Sequence, residues 1–263
     1  MCWVEELDKV FKDISIHDIG TALLDLAMPR RCVVCHGQMM LRERFICTGC
    51  LADLPLTYFW ERTHNPMADR FNERIQASIP EDPVFLEPYA FAAALFFYNS
   101  ESLYKRIPQH LKYHAGVASG RFFSAMLGRA LASGTMFGDV DVVVPVPLHW
   151  ARRWKRGYNQ AEVIARELAA ALGAECHPDW LRRVRRTATQ TRVSVTSKSA
   201  NVSGAFRAGQ AARKAKTAMP CHVLVVDDTF TTGATLNACR MALREAFPPS
   251  VRISVATLAF VSA

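Results

Sequence analysis

The stretch VLVVDDTFTTGAT, residues 223–235, decides the fold. It begins with a run of apolar residues that is typical of a buried strand. Two adjacent acids, Asp227 and Asp228, end that run, and a loop rich in threonine and glycine then leads into a helix predicted over residues 233–246. In open parallel sheets, ligands bind outside the carboxyl ends of the strands. We therefore predict a ligand site at this loop.

The chemistry of the loop suits an anion. Successive backbone N–H groups can turn inward as a nest, the positive end of the following helix adds to it, and threonine hydroxyls supply further donors. The adjacent carboxylates suit two ribose hydroxyls or a shared Mg²⁺. An ordinary strand–turn–helix with a threonine cap is the structural alternative, but the whole string is more specific than its TTGAT core. The predicted nest consists of Thr231, Thr232, Gly233, Ala234 and Thr235.

The remainder of the chain alternates strand-like and helix-like segments. Such alternation predicts an α/β fold, in which helices flank a parallel sheet with right-handed crossovers. We predict an N-terminal part over 1–82, with a helix over 1–28, a metal module and a linker, followed by an α/β domain over 83–263. The predicted strands lie at 141–149, 221–228 and 251–260, and the clearest predicted helices at 119–132, 160–172 and 233–246.

Two basic clusters accompany the loop. In PVPLHWARRWKRGYNQ, residues 145–160, a strand ends in prolines, and cations that could neutralise a pyrophosphate follow it. A basic surface loop before a helix capped by Asn159 is the alternative. The second cluster, residues 181–206, is rich in arginine and has little hydrophobic periodicity, which predicts a long loop that could close over a ligand.

Four of the eight cysteines form two CxxC pairs separated by an 11-residue spacer. Each pair can bind one side of a metal ion, and four thiolates complete a tetrahedral, structural zinc site. A redox CxxC and an iron–sulfur cluster are the alternatives, and His36 is poorly placed as a ligand because it directly follows Cys35. The predicted zinc ligands are Cys32, Cys35, Cys47 and Cys50.

The composition sets the class of protein. The chain of 263 residues has 32 basic and 24 acidic side chains, and its formal charge of +8 favours anionic partners. A secreted disulfide scaffold would be shorter and denser in cysteine. The longest apolar stretch, about 89–98, is shorter than the ~20 residues that span a bilayer, and the N-terminus does not look like a signal peptide. We expect a soluble cytoplasmic protein without membrane insertion.

The loop motif resembles the signature with which type I phosphoribosyltransferases bind phosphoribosyl pyrophosphate (PRPP). Together with the CxxC pairs, PVPLH…RGYNQ and LRR…Q…NVSGAF in this order, it resembles the ComF family over most of the chain. The resemblance implies that PRPP binds with Mg²⁺, that the acids hold the ribose hydroxyls and that Thr231–Thr235 hold the 5′-phosphate. The catalytic residues would then be Asp227, Asp228 and Arg156, and further substrate contacts would come from Thr229, Pro147 and His149.

Three functions stay open at this point. The first is an enzyme that transfers phosphoribose, for example in nucleobase salvage. The second, implied by the link between the ComF family and natural competence, is a protein that binds single-stranded DNA and whose PRPP site is not catalytic; the basic runs with Trp150, Trp154 and Tyr158 fit such a surface. The third is an adaptor whose zinc module docks a DNA-uptake helicase or another competence protein.

Overall fold

The computed structural model describes residues 28–79, 86–113, 116–185, 204–215 and 219–262. The chain divides into two compact units, of which the first ends at Leu54 and the second begins at Pro55. The helix that the sequence predicts over 1–28 falls almost wholly on residues outside these ranges. Among the described residues, no helix combines the length and the apolar composition needed to cross a membrane.

The described part of the first unit is built from turns around the cysteines. Isolated antiparallel bridges join Arg31 to Gln38 and Arg44 to Ile46, and helix α1, Thr48–Ala52, follows Cys47. Its buried apolar side chains are few and mostly small, because the chain turns too often to form a long amphipathic face. They are Cys32, Val33, Val34, Met39, Ile46 and Leu54.

The second unit contains the α/β fold. Its strands are β1 Ala92–Tyr98, β2 Val142–Pro145, β3 Glu175–Cys176, β4 Leu181–Arg183, β5 Phe206–Ala208, β6 His222–Phe230 and β7 Arg252–Val261. Its α-helices are α2 Pro66–Gln76, α3 Arg106–His110, α4 Gly116–Ala132, α5 Trp150–Arg156, α6 Gln160–Leu172, α7 Gln210–Lys214 and α8 Ala234–Arg244. Short 3₁₀ helices lie at Phe59–Glu61 and Leu103–Lys105.

Within the described residues, five strands form one parallel sheet in the order β1–β7–β6–β2–β3. The apolar runs Val142–Val144 and Val223–Val226 are fully or almost fully buried, as expected for strands covered on both faces. Helices flank the sheet. The predicted α/β class with a parallel sheet is therefore confirmed.

Helix α6 shows how local sequence positions an element. The side chain of Asn159 accepts a hydrogen bond from the N–H of Ala161 and thus caps the helix, as predicted. Gly173, in the left-handed region at φ 68°, ends it. The apolar face of α6 packs against α4, where the helices approach so closely that a Cβ added at Gly128 would lie 2.7 Å from that of Ala171.

The predicted long loop over 181–206 is wrong at its two ends. Leu181–Arg183 and Phe206–Ala208 pair as the antiparallel strands β4 and β5. The prediction failed because the strands are only three residues long and their buried side chains, Leu181 and Phe206, stand among arginines in the sequence. Residues 186–203 between them lie outside the described part of the chain.

Candidate functional site

The parallel sheet brings the carboxyl ends of its strands to one edge. Pro145 of β2 is paired with Val226 of β6, so the acid pair, Asp227 and Asp228, follows one step beyond the end of β2. Strand β6 continues to Phe230, and the β6–α8 loop, Thr231–Gly233, then leads directly into α8. The loop and the acid pair therefore lie at the edge where the sequence predicts a ligand.

Gly233 gives the β6–α8 loop its shape. It lies in the left-handed region at φ 74°, where residues with a side chain are strained. A Cβ at this position would also lie 2.8 Å from Cζ of Phe230, which is fully buried beneath the loop. Glycine is thus required here both by the backbone conformation and by the close approach of the ring.

The acid pair is half-buried, and its two carboxyls repel each other when ionised. The N–H of Asp228 donates to Oδ1 of Asp227 at 2.9 Å. Burial and the charge of Asp228 raise the pKa of Asp227, and burial also raises the pKa of Asp228. The pair therefore favours a ligand that brings positive charge or hydroxyl donors.

Cations from separate parts of the chain face the acid pair. Lys112 and Arg183 act on Asp227, and Lys112 and Arg156 act on Asp228, although these charges do not outweigh the effect of burial on the two carboxyl pKa values. Burial lowers the pKa of Arg183, and the nearby charge of Arg152 lowers it further. The result is an acidic centre within a cationic surround, an arrangement that suits a sugar carrying several phosphates.

The structure places the other predicted residues of the β2 end as follows. Arg156, at the end of α5, donates to Oε1 of Gln160 at 3.1 Å, and its charge acts on Asp228 to lower the pKa of that carboxyl. His149 is buried, and its Nδ1 accepts from the N–H of Ala151, so its ring caps α5. Pro147 lies in the connection between β2 and that cap.

The basic segment after His149 is a helix, α5, and not the loop that we gave as the alternative. Two of its side chains, Trp150 and Trp154, are 74% and 90% exposed. They are four residues apart and so lie on one side of the helix. A helix with two open indole rings and several arginines offers both stacking surfaces and positive charge.

Arg207 of β5 and Arg213 of α7 pair with an acid outside the acid pair. Arg207 and Arg213 both pair with Glu245, at 3.3 Å and 2.8 Å. Sequence proximity alone cannot show that an acid just beyond α8 takes their charge. Lys216 of the same run lies outside the described residues.

Sequence reasoning missed three cations near the site: Lys112, Arg70 and Arg74. Lys112 lies in a turn held by Tyr158, whose hydroxyl donates to the carbonyl of Leu111 and, at 2.7 Å, to that of Tyr113. Arg70 and Arg74 are one helical turn apart on α2, a spacing that indicates a shared target. Arg74 binds the carbonyl of Thr232, which lies 158 residues further along the chain, and no local pattern reveals this contact.

The four predicted zinc ligands of the first unit, here called the cysteine cluster, lie together. Their sulfur atoms are all within 4.8 Å of one another, and Sγ of Cys35 is 3.7 Å from Sγ of Cys47. A zinc ion about 2.3 Å from each of four tetrahedral thiolates holds the sulfurs about 3.8 Å apart. The cysteine cluster fits such an ion and leaves no open coordination position, as expected for a structural site.

Backbone N–H groups donate to two sulfur atoms of the cysteine cluster and stabilise the thiolate of Cys32. Those of Val34 and Cys47 donate to Sγ of Cys32, and that of Gly37 to Sγ of Cys35, each at 3.4 Å. Burial raises the pKa of Cys32, but hydrogen bonds from the backbone, that of Cys35 first and then those of Cys47 and Val34, outweigh it and lower the pKa to about 7. Thiolate is the form that binds metal, so the backbone favours metal binding.

Glu43 explains how the short spacer closes the cysteine cluster. Its carboxylate accepts from the N–H of Met40 and the N–H of Thr48, both at 2.6 Å, and so joins the spacer to the second CxxC pair. These bonds, the one from Thr48 first, lower the pKa of Glu43. The guanidinium of Arg30 completes the turn by donating to the carbonyl of Glu43 at 2.8 Å.

Comparison with known proteins gives the following similarities, although no family model matches the chain. Competence protein F of Haemophilus influenzae is 26% identical over 227 residues, which cover 82% of this chain and 91% of that protein. DNA utilization protein YhgH is 36% identical in Salmonella typhi and 33% in Escherichia coli K12 over 96 residues, which make up 36% of this chain. The chain thus matches 40% of the length of the YhgH proteins.

One solved structure is similar to part of this chain: glutamine PRPP amidotransferase from B. subtilis, complexed with ADP and GMP. The similar part covers 57% of this chain and 30% of the amidotransferase chain. The TM-score is 0.36 and the identity 20%, and no conclusion rests on this partial overlap. The match to Competence protein F, by contrast, extends over 82% of this chain and 91% of that protein. The family resemblance predicted from the sequence motifs is therefore confirmed as homology.

Proposed function

We propose that this homologue of Competence protein F binds PRPP with Mg²⁺ at the carboxyl edge of its sheet and acts in the uptake or use of DNA. The observation that carries the PRPP site is the acid pair, on which the charges of Lys112, Arg156 and Arg183 act and which the β6–α8 loop follows two residues later. The names of the relatives, which refer to competence and DNA utilization, support the process.

In this proposal each group has a separate task. The acid pair accepts hydrogen bonds from the ribose hydroxyls. The N–H groups and the threonine hydroxyls of the β6–α8 loop hold the 5′-phosphate. Arg156 and Lys112 face the pyrophosphate. The carboxylate oxygens of the pair are also ligands suited to Mg²⁺. When bound, the ion neutralises pyrophosphate charge. Thr229, on β6 between the acid pair and the loop, continues the same edge.

The same arrangement suits phosphoribosyl transfer. The bond from C1 of ribose to pyrophosphate breaks through a loose, cationic transition state, so the residues would act by positioning the reactants and stabilising charge, without a dedicated nucleophile. Arg156 and Lys112 would stabilise the leaving pyrophosphate. We include this transfer in the proposal, with a nucleobase as the acceptor class to be screened first.

Isothermal titration of PRPP with Mg²⁺ tests the site. The wild-type protein should bind, and the Asp227→Ala, Asp228→Ala double variant should lose at least about 100-fold in affinity, because several charge-assisted hydrogen bonds are removed. A Glu61→Ala, Glu101→Ala variant is the matched control, since it also loses two acids but both are exposed. Absence of binding by folded wild-type protein would refute the proposal.

A second candidate function, binding of single-stranded DNA, is favoured by the open indole rings of Trp150 and Trp154. Base–aromatic stacking contributes about 1–3 kcal/mol per base, and cations beside the rings bind the phosphates. Arg153 is exposed next to Trp154 and, although it lies 3.8 Å from Oε2 of Glu162, could supply such a cation. This surface lies on α5, whose last residue Arg156 faces the acid pair, so the two functions would use neighbouring surfaces.

Fluorescence anisotropy with a labelled oligothymidine tests the second candidate. Binding should weaken at least about tenfold between roughly 50 and 200 mM salt, because phosphate contacts release counterions. The Trp150→Ala, Trp154→Ala variant should bind about 10- to 100-fold more weakly, whereas Tyr58→Ala, which removes a half-exposed aromatic side chain outside α5, should bind as wild type does. Equal binding by all three proteins would refute this surface.

A further inference from the structure

Helix α2 is hydrogen-bonded to the β6–α8 loop through two arginines. Nη1 of Arg70 donates to the carbonyl of Thr231 at 3.2 Å, and Nε of Arg74 donates to the carbonyl of Thr232. The guanidinium of Arg70 also lies over the ring of Phe260, 5.3 Å from its centroid, which fixes its direction. Both cations thus bind main-chain oxygens of the loop and not carboxylates.

These contacts determine where the N–H groups of the loop point. In a trans peptide the carbonyl and the N–H of the next residue point in opposite directions. Because the carbonyls of Thr231 and Thr232 face the arginines of α2, the N–H groups of Thr232 and Gly233 face away from them. Within the described part of the chain, these two N–H groups have no hydrogen-bond partner, so they are available to an anion.

Gly233 makes the hydrogen bonds from Arg70 and Arg74 to the loop necessary. Gly233 is needed for the left-handed turn, but a glycine can leave that conformation more easily than any other residue. The peptide between Thr232 and Gly233 could therefore rotate and present its carbonyl oxygen to the anion. A bond from Arg74 to that oxygen opposes the rotation.

We propose that Arg70 and Arg74 are positioning residues, which hold the β6–α8 loop so that its N–H groups bind the phosphomonoester of the sugar. They act through the main chain and do not touch the ligand. This inference rests on the proposed function, since it specifies how the 5′-phosphate end of that site is formed. It predicts that their loss weakens binding of every ligand with a 5′-phosphate and spares binding of inorganic pyrophosphate.

The substitution Arg74→Gln separates positioning from charge. Nε2 of glutamine stands at the same position along the side chain as Nε of arginine, so this variant keeps a donor for the carbonyl of Thr232 but loses the charge. Arg74→Ala loses both. Arg62→Ala is the matched control, because Arg62 is an exposed arginine outside α2 and its removal changes the net charge equally.

Titrations of full-length protein with PRPP, ribose 5-phosphate and pyrophosphate give the result. Arg74→Ala should bind the first two about tenfold more weakly and pyrophosphate unchanged, while Arg74→Gln and Arg62→Ala stay within about threefold of wild type. If Arg74→Gln were as weak as Arg74→Ala, the charge would act directly and the inference would be overturned. Equal loss for pyrophosphate would overturn it too.

A failure of this inference differs from a failure of the proposed function. If the wild-type protein bound none of the three ligands, the PRPP site and the inference would both fall. If it bound PRPP and Arg74→Ala bound equally well, the inference alone would fall. Nitrogen-15 spectra add an independent readout, because ribose 5-phosphate should shift the amide signals of Thr232 and Gly233 in wild type and in Arg74→Gln but not in Arg74→Ala.

Discussion

The cysteine cluster and the β6–α8 loop are both short turns that place backbone N–H groups around charged atoms, but they are supported differently. The cysteine cluster lies in a unit whose described part buries few large side chains, and its shape comes from hydrogen bonds to sulfur and to Glu43. The β6–α8 loop lies above a parallel sheet, with Phe230 fully buried beneath it and α2 beside it.

This difference teaches where each turn obtains its stability. Because the described part of the first unit has so small a core, we expect this unit to depend on a ligand such as zinc, so that its folding and its metal binding are one process. A loop on a large core is formed in advance, and its ligand binds to a structure that exists without it. Removal of the ligand should therefore unfold the first turn and leave the second in place.

The largest effect is expected from loss of a metal ligand. We expect Cys47→Ser to abolish stoichiometric zinc binding, because a structural zinc site contributes roughly 10 kcal/mol or more to folding of such units. Amide hydrogen exchange should show loss of protection over residues 31–47, whereas residues 223–226 of β6 stay protected. Zinc content follows from a colorimetric assay after denaturation.

The exposed Cys221 provides the control, since Cys221→Ser removes a thiol outside the cysteine cluster. It should keep full zinc content. If Cys47→Ser kept both its metal and its protected amides, the first unit would not depend on its ligand, and the contrast between the two turns would be lost.

An intermediate effect is expected at the β6–α8 loop. Gly233→Ala should lower the free energy of unfolding of the second unit by about 2–4 kcal/mol, because it adds a clash with Phe230 to the strain of a positive φ. Gly173→Ala has the same strain, at φ 68°, but nothing lies within 4 Å of the added Cβ. Urea unfolding of both variants measures the difference. Equal losses would show that Phe230 does not support the loop tightly.

The smallest effect concerns the acid pair. The pKa of Asp227 is raised in the folded state, so folded protein binds more protons than unfolded protein above about pH 4, and wild-type stability should fall as pH rises from there. Asp227→Asn should remove most of this slope and be about 1–2 kcal/mol more stable at pH 8, yet bind PRPP more weakly than wild type. Urea unfolding at pH 5 and pH 8 measures both slopes. If Asp227→Asn were less stable than wild type at pH 8, burial and the charge of Asp228 would not be the cause of the raised pKa of Asp227.

The sequence predicted the parts of this protein that local patterns determine. The strands at 221–228 and 251–260 appear as His222–Phe230 and Arg252–Val261, and the helix at 160–172 is present with the same ends. Apolar runs, an asparagine cap and a following glycine specify such elements without help from distant residues. The cysteine cluster was predictable for the same reason, because its four ligands lie within 19 residues of one another.

Contacts between distant segments could not be predicted. Nothing near Arg70 or Arg74 indicates the β6–α8 loop, and nothing near Lys112 indicates the acid pair, because the sheet brings these residues together only after folding. Helix α5 itself was missed because its arginines and tryptophans have no apolar face that would indicate a helix. The roles of the site residues in PRPP binding remain predictions that the titrations above test.

The bond between Arg74 and the carbonyl of Thr232 has a consequence for genetics and protein engineering. Residues 55–79 have to be kept with the sheet in any dissection of the chain, since a fragment that starts at residue 83 would lack the helix that holds the loop. In a mutational scan, substitutions on one face of α2 would look like ligand-binding defects although no ligand touches them. Variation at Arg74 should accordingly be tolerated only together with compensating change in the loop.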